Sequence, residues 1–224
     1  MSWNRVGERM PVVPRMTILQ LNGRGPQSGG SRQAFLLAAA LRQRGHRVLF
    51  VTGPHPQWKS LCCQADIEWY TLPLRHRWDM RSVWLLRRLI RQEGVEVVHV
   101  HKGKEHTIAF WTSFCTEMPV LVANRGVSFP TNFWSRLKYR YRVDVTVAVS
   151  EAVRRQLIAE GVPPEKVVTV YGGVDLTRFH PAVSGHRIRQ ELRIPARARV
   201  VTKVAHILPW KGYETFLTAA ALVR

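Results

Sequence analysis

Acidic side chains are scarce in this chain: 15 Asp and Glu stand against 34 Lys and Arg, a formal net charge of +19. That imbalance excludes a self-neutralised surface and points to anionic partners: phosphates, nucleic acid or the anionic face of a membrane. Cysteine is scarcer still. Cys62 and Cys63 are adjacent, Cys115 stands alone, and no spacing suits zinc. This excludes a disulfide framework or a zinc module, and a reducing cytosol is the simplest reading. No apolar run approaches the ~20 residues that span a bilayer. Residues 1–14 lack the apolar stretch of a signal peptide, and 1–15 reads as a disordered lead-in. Two phosphate-binding signatures are also missing, since neither G-x-G-x-x-G nor Gly-Lys-Ser/Thr occurs.

What is present is alternation. Short apolar runs with strand character fall at 16–22, 47–52, 67–72, 95–101, 120–123, 143–149 and 167–171. Between them lie helix patterns at 31–44, 57–65, 79–93, 106–116, 132–141 and from 151 on. Gly45, Gly94 and Gly161 are placed as helix stops, and Ser150 as an N-cap. Alternation without hairpin signals predicts an α/β fold: a Rossmann-like, doubly wound parallel sheet covered on both faces. In such a sheet ligands sit beyond the carboxyl ends of the strands.

The segments after each strand therefore hold the candidate chemistry. The loop 23–30 ends in Ser28-Gly29-Gly30 and opens a helix, so backbone can approach a ligand and the helix N-terminus favours negative charge; a plain βα turn is the bland alternative. The segment His99-Val100-His101-Lys102-Gly103-Lys104-Glu105-His106 ends the fourth strand. Period two places His99 and His101 on one face; a structural role suits His99, and His101 is the functional candidate. Lys102, Lys104 and His106 are candidates to meet phosphate, or simply solvated charges. Arg125, before Gly126, could clamp an anionic oxygen or pair with a local acid. Two stretches, 75–91 and 133–142, interleave Arg and Lys with Trp and Tyr. They suit a membrane interface or a nucleic-acid backbone, or pack one face on the sheet.

Taken in order, these residues resemble glycosyltransferase family 4, with the GT-B fold. The carriers are Ser28-Gly29-Gly30 with Leu41, Gly45, His46 and Val48; then Glu96 to His101; Val147-Ala148-Val149-Ser150-Glu151; Gly173-Val174-Asp175 with Arg178, Phe179 and Pro181; and Leu208-Pro209-Trp210-Lys211-Gly212. The resemblance implies two Rossmann-like domains. The first, 16–180, is the acceptor side. A linker covers 181–198, and 199–224 is the first strand and helix of a donor-binding domain whose paired-glutamate segment would fall beyond Arg224. The chain is thus expected to be truncated and inactive alone.

By position, the resemblance puts Gly29, Gly30, Lys102, Gly173, Asp175, His206 and Lys211 on the donor. Lys211 contacts the diphosphate, and His206 stands where many members have Arg. Many members place a catalytic-site His where Asn124-Arg125-Gly126 stands here, so His101 or Arg125 takes that role. The implied reaction moves a sugar, with retention and without a metal or other cofactor, from a nucleotide-sugar donor to a cell-envelope glycan or glycolipid, such as a lipopolysaccharide core. Hexosyl and heptosyl transfer both fit. The expected place is the cytoplasm, peripheral on the inner membrane face, held by anionic headgroups. The alternative is a non-catalytic basic module binding membrane or nucleic acid. No RRM, KH, helix-turn-helix or zinc-finger pattern favours nucleic acid.

Overall fold

The computed structural model describes residues 14–117 and 119–223, so most of the expected lead-in lies outside the described residues. The chain divides into two compact units, at Gly173–Val174.

The first unit carries seven strands: β1 (Thr17–Asn22), β2 (Arg47–Thr52), β3 (Glu68–Thr71), β4 (Val97–Val100), β5 (Val120–Arg125), β6 (Val145–Ala148) and β7 (Val167–Thr169). All pair in parallel, in the order β3-β2-β1-β4-β5-β6-β7. The helices between them are α1 (Gly29–Gln43), α2 (Pro56–Gln64), α3 (Met80–Gln92), α4 (Gly103–Thr112), α5 (Phe133–Tyr141) and α6 (Glu151–Ala159). From β1 the chain winds outward to β3, crosses back through α3, and winds the other way from β4. The winding reverses between β1 and β4, and a crevice opens there at the strands' carboxyl ends.

The two faces of the sheet are buried by different helices. Ala34 and Ala38 of α1 and Trp58 and Cys62 of α2 pack on Val48 and Phe50. On the other face, Val83, Leu86 and Ile90 of α3, Ile108 of α4 and Leu157 of α6 pack on Leu19, Leu21, Leu49, Val98 and Val100. The strand period sorts these sets, because successive side chains leave the sheet on opposite faces. The helices end as their glycines dictate. At Gly45 (φ 91°) His46 N–H bonds Leu41 O at 3.2 Å and Gly45 N–H bonds Arg42 O at 3.0 Å, a Schellman stop that a left-handed glycine makes accessible. At the other ends, Asp79, Asn132 and Ser150 cap α3, α5 and α6 through their side chains. Among the described residues no helix is long and apolar enough to cross a membrane.

The second unit, 174–223, holds α7 (His186–Glu191), a 3-10 turn (Pro209–Lys211) and α8 (Tyr213–Leu222). The strand expected after 199 does not form: no strand is found among the described residues of this unit. A strand needs a neighbour for its backbone N–H and C=O groups, and the unit supplies none. The expected linker, 181–198, lies inside this unit and contains α7. Among its described residues none is buried, and Val201, Val204, Ile207 and Leu222 are each at least 80% exposed.

Hydrogen exchange should therefore separate the units. Amides of β4 are expected to open only with global unfolding. Those of α8, a ten-residue helix with no buried residue, should exchange at close to helix–coil rates. Equal protection in both would contradict this description.

Candidate functional site

The crevice between β1 and β4 is built by the loop after β1 and the turn after β4. Asn22, the last residue of β1, is fully buried; its Oδ1 accepts from Ser31 Oγ at 3.0 Å, and its Nδ2 donates to Arg24 O at 3.0 Å. From the β4 side, Lys102 reaches over the start of α1. Its ammonium donates to Ser28 Oγ at 3.0 Å and to Ser31 Oγ at 2.9 Å. Ser28 is the N-cap of α1, so the ammonium lies against the positive end of that helix. Burial, with Arg24 adding repulsion, pushes Lys102 down to about 8; Glu105 offsets part of this.

Nothing stands within 4 Å of where a Cβ on Gly29 would lie, and on Gly30 only Lys102 Cε comes near, at 3.8 Å. The two glycines thus leave the backbone bare at the helix start. Gly173, at the end of the first unit, comes to the same helix: its carbonyl accepts from Gln33 Nε2 at 2.9 Å. The structure brings Gly29, Gly30, Lys102 and Gly173 together around the first two turns of α1.

Glu105 is the residue the sequence reading left without a role. It lies in the first turn of α4, is 1% exposed, and its Oε2 finds no partner among the described residues. A Cβ on Gly23 would fall 1.8 Å from Glu105 Oε1. The carboxylate occupies the space that Gly23 vacates. No local pattern signals this, because the two residues meet only through the β1–β4 pairing.

His99 and His101 share a face as expected, with ring centroids 4.3 Å apart. Both are buried beside β1, and His101 Nε2 lies 2.5 Å from Gln20 Oε1. Burial holds His99 at about 4, and holds His101 well below the ordinary histidine value with His99 and Lys102 as further causes. Both rings are neutral near pH 7. Arg125 ends β5 and donates to the carbonyl of Phe129, not to a carboxylate. No hydrogen bond joins it to His101 among the described residues.

His106 corrects an expectation. It does not meet phosphate at the surface: it is 2% exposed, its ring lies 4.7 Å from that of Tyr139, and burial drives it to about 3. It sits three residues into α4 on the face that packs against α5, so helix geometry turns it inward.

In the second unit, Asp175 Oδ1 accepts from Thr177 N and Oγ1, at 2.9 and 2.6 Å, and so folds a tight turn. Those bonds hold its carboxyl below the usual range. His206 and Lys211 are exposed. Lys211 closes the 3-10 turn before Gly212, which is left-handed (φ 62°) and starts α8. Lys203 supports this turn by donating to Gly212 O at 2.8 Å.

A seven-stranded parallel sheet that reverses at a glycine-opened helix start is a Rossmann-like domain, of the kind found in glycosyltransferases with the GT-B fold. Within that class the chain belongs to glycosyltransferase family 4, whose description matches residues 27–178. Among solved structures, a glycosyltransferase from Rickettsia africae is similar with TM-score 0.75 at 18% identity, covering 95% of this chain and 58% of that one. HepE of Anabaena, in complex with UDP-glucose, gives TM-score 0.76 at 21% identity, covering 93% and 58%. Among curated relatives, the D-inositol 3-phosphate glycosyltransferase of Kineococcus radiotolerans is 42% identical over 79 residues, 35% of this chain and 18% of that protein. The Escherichia coli UDP-Gal:alpha-D-GlcNAc-diphosphoundecaprenol alpha-1,3-galactosyltransferase is 23% identical over 158 residues, 65% and 41%. The chain thus spans less than half the length of either curated relative.

The lysine makes the site's charge pH-dependent. A folded value of about 8 against an ordinary 10.5 means that the charged amine is disfavoured by burial, and that this cost is relieved as pH rises through 8. Binding of an anion works in the other direction, because it needs the ammonium. Titration of the protein with sulfate, an anion whose own charge is constant over this range, should give affinity that falls above pH 8 by up to ~10-fold per pH unit. Lys102→Met should bind weakly at all pH values, with no such fall.

Proposed function

We propose that the chain is the acceptor-side domain, with the start of the donor side, of a glycosyltransferase that moves a sugar from a nucleotide sugar to a cell-envelope glycan or glycolipid. The observation that carries this is the Lys102 ammonium held by Ser28 and Ser31 against the N-terminus of α1, with no carboxylate hydrogen-bonded to it. A fixed cation and a helix dipole aimed at one point are what a departing nucleoside diphosphate requires. Family membership and the UDP-glucose held by HepE support a nucleotide-sugar donor. The name of the Escherichia coli relative supports a lipid-linked envelope acceptor.

In this reading the bond from the anomeric carbon to the diphosphate breaks and the bond to the acceptor oxygen forms. The negative charge left on the diphosphate falls to Lys102 and the α1 N-terminus; the family resemblance alone assigns Lys211 and His206 to the donor. Gly29, Gly30 and Gly173 let the donor approach the backbone, and Asp175 holds the turn that follows Gly173. The acceptor hydroxyl loses its proton as it attacks, and the proton passes to the oxygen of the departing diphosphate. We assign to His101, neutral and hydrogen-bonded to Gln20, the polarising of a hydroxyl on the strand-end side, and to Arg125 the holding of an acceptor oxygen. Transfer proceeds with retention and needs no metal.

The test joins this chain to the donor-binding remainder of a family relative and measures transfer from labelled UDP-sugars to envelope lipid extract. Lys211→Ala is expected to lower kcat/KM by ~1.5–3 kcal/mol, the worth of a charge-assisted contact. Lys59→Ala serves as the control, because Lys203 supports the turn itself. Unchanged kcat/KM in Lys211→Ala would remove the diphosphate assignment.

The membrane belongs to the same proposal. On α3, Trp84 is exposed with Arg88 over its ring at 5.9 Å, while Leu86 and Ile90 are spent on the core. On α5, Phe133 and Trp134 are 67% and 70% exposed, while Tyr139 is buried. Packing therefore accounts for half of each basic stretch and leaves an aromatic and cationic half outside. Such faces dock on the inner, anionic leaflet of the cytoplasmic membrane, at ~1 kcal/mol per Lys or Arg near the surface. Co-sedimentation should show binding to vesicles containing phosphatidylglycerol that fades between 50 and 500 mM salt by roughly the loss of Debye-range attraction, and no binding to phosphatidylcholine alone. Preference for RNA at matched salt would favour the non-catalytic alternative.

A further inference from the structure

A second cationic hollow lies beside the Lys102 crevice, on the face of the sheet covered by α3, α4 and α5. It is a cavity of about 600 Å³ whose lining includes His76, Arg77, Trp78, Lys104, Ser135 and Lys138. Among the described residues no Asp or Glu lines it. Asp79, next to Trp78 in the chain, is turned to the α3 cap, where it accepts from Arg75 N at 3.0 Å and from Ser82 N and Oγ at 3.2 and 2.9 Å. Two helices begin at its wall: Gly103 is the first residue of α4, and Ser135 lies in the first turn of α5.

Lys138 is the unusual group. It is 8% exposed, and its ammonium donates to the Thr107 hydroxyl at 2.8 Å, a neutral partner. A cation this buried is ordinarily paired with a carboxylate, and here none is hydrogen-bonded to it. Burial, with Arg77 adding repulsion, pushes it down to about 8. Arg77 and His76 are exposed at the mouth, and Trp78 offers a flat apolar wall.

We propose that this cavity binds a phosphate ester carried by the acceptor, with Lys138 at its base and Arg77 and His76 at its mouth. That the ester belongs to the acceptor rests on the glycosyltransferase reading; that the cavity binds phosphate does not. The cavity adjoins the crevice through Lys104, whose Cε would lie 3.4 Å from a Cβ on Gly23 and whose ammonium donates to Leu74 O at 2.5 Å. A phosphate here would set its own substituent toward the carboxyl ends of β1 and β4. Phosphate fits better than carboxylate, because the cations come from three elements of the chain and a phosphate offers more acceptor oxygens than a carboxylate.

The experiment is calorimetric titration of the full chain, in a Lys102→Met background that silences the neighbouring cradle. The probes are glucose 1-phosphate in solution and a short-chain polyprenyl phosphate in neutral detergent micelles. Saturable binding of either is expected, weakened at least tenfold by Arg77→Gln with His76→Gln and by Lys138→Met, but not by Lys59→Ala. Circular dichroism establishes that each variant folds, and the two mouth variants keep the test decisive if Lys138→Met does not. Tighter binding of the micellar probe assigns a lipid bearer, and equal binding a soluble one. Absence of binding, or equal loss with chloride at matched ionic strength, overturns the proposal. If the mouth variants lose phosphate while no sugar transfer is found in the joined enzyme, the glycosyltransferase reading fails and the cavity stands. If transfer proceeds with an unchanged acceptor KM in those variants, the acceptor placement is wrong.

Discussion

Every strand of the first unit runs the same way, and that constraint organises the rest. Parallel strands cannot be joined by tight turns, so each must be followed by a crossover that covers a face of the sheet. All βα turns then emerge at one edge. Reversal of the winding between β1 and β4 leaves two adjacent turns with no helix bridging them. The crevice is a consequence of this order, before any side chain is considered. The side chains decide what it holds: Asn22 and Ser31 fix the floor, Lys102 supplies the charge, and Gly29 and Gly30 leave the backbone bare.

The α1 face of the sheet carries an unusual polar seam. Gln20, His99 and His101 are buried in register along β1 and β4, and Gln20 Nε2 and His99 Nε2 have no partner among the described residues. Each such atom costs on the order of 1–3 kcal/mol. A purely structural sheet would place valine or isoleucine there, as β4 does on its opposite face with Val98 and Val100.

Much of the fold was legible because it is local. The runs at 16–22 and 47–52 became β1 and β2, Ser150 caps α6, and Gly45 and Gly161 stop their helices. Pattern and punctuation suffice for such elements. The crevice was half legible: Gly29, Gly30 and Lys102 were indicated by their places after strands, but their meeting depends on which strands are neighbours. What stayed hidden depends on long-range packing. His106 looked like one more solvated base beside two lysines until α5 covered it. Lys138 looked like one more surface cation in a basic helix, although it is 8% exposed. The segment after 199 has every local property of a strand, yet a strand is a property of a pair, and β-propensity alone cannot supply the partner.

Gly23 links these levels. By having no side chain it admits the Glu105 carboxylate to the crevice, and that carboxylate raises Lys102 against the burial and repulsion that depress it. The burial that depresses the lysine is thus partly offset through an empty volume in the loop after β1. A single methyl group at position 23 would act as an electrostatic change: it would press the Glu105 carboxylate out of its present position and weaken the contribution that raises Lys102. In this family member, steric room in a loop is one of the means by which the fold tempers the charge of a half-buried lysine.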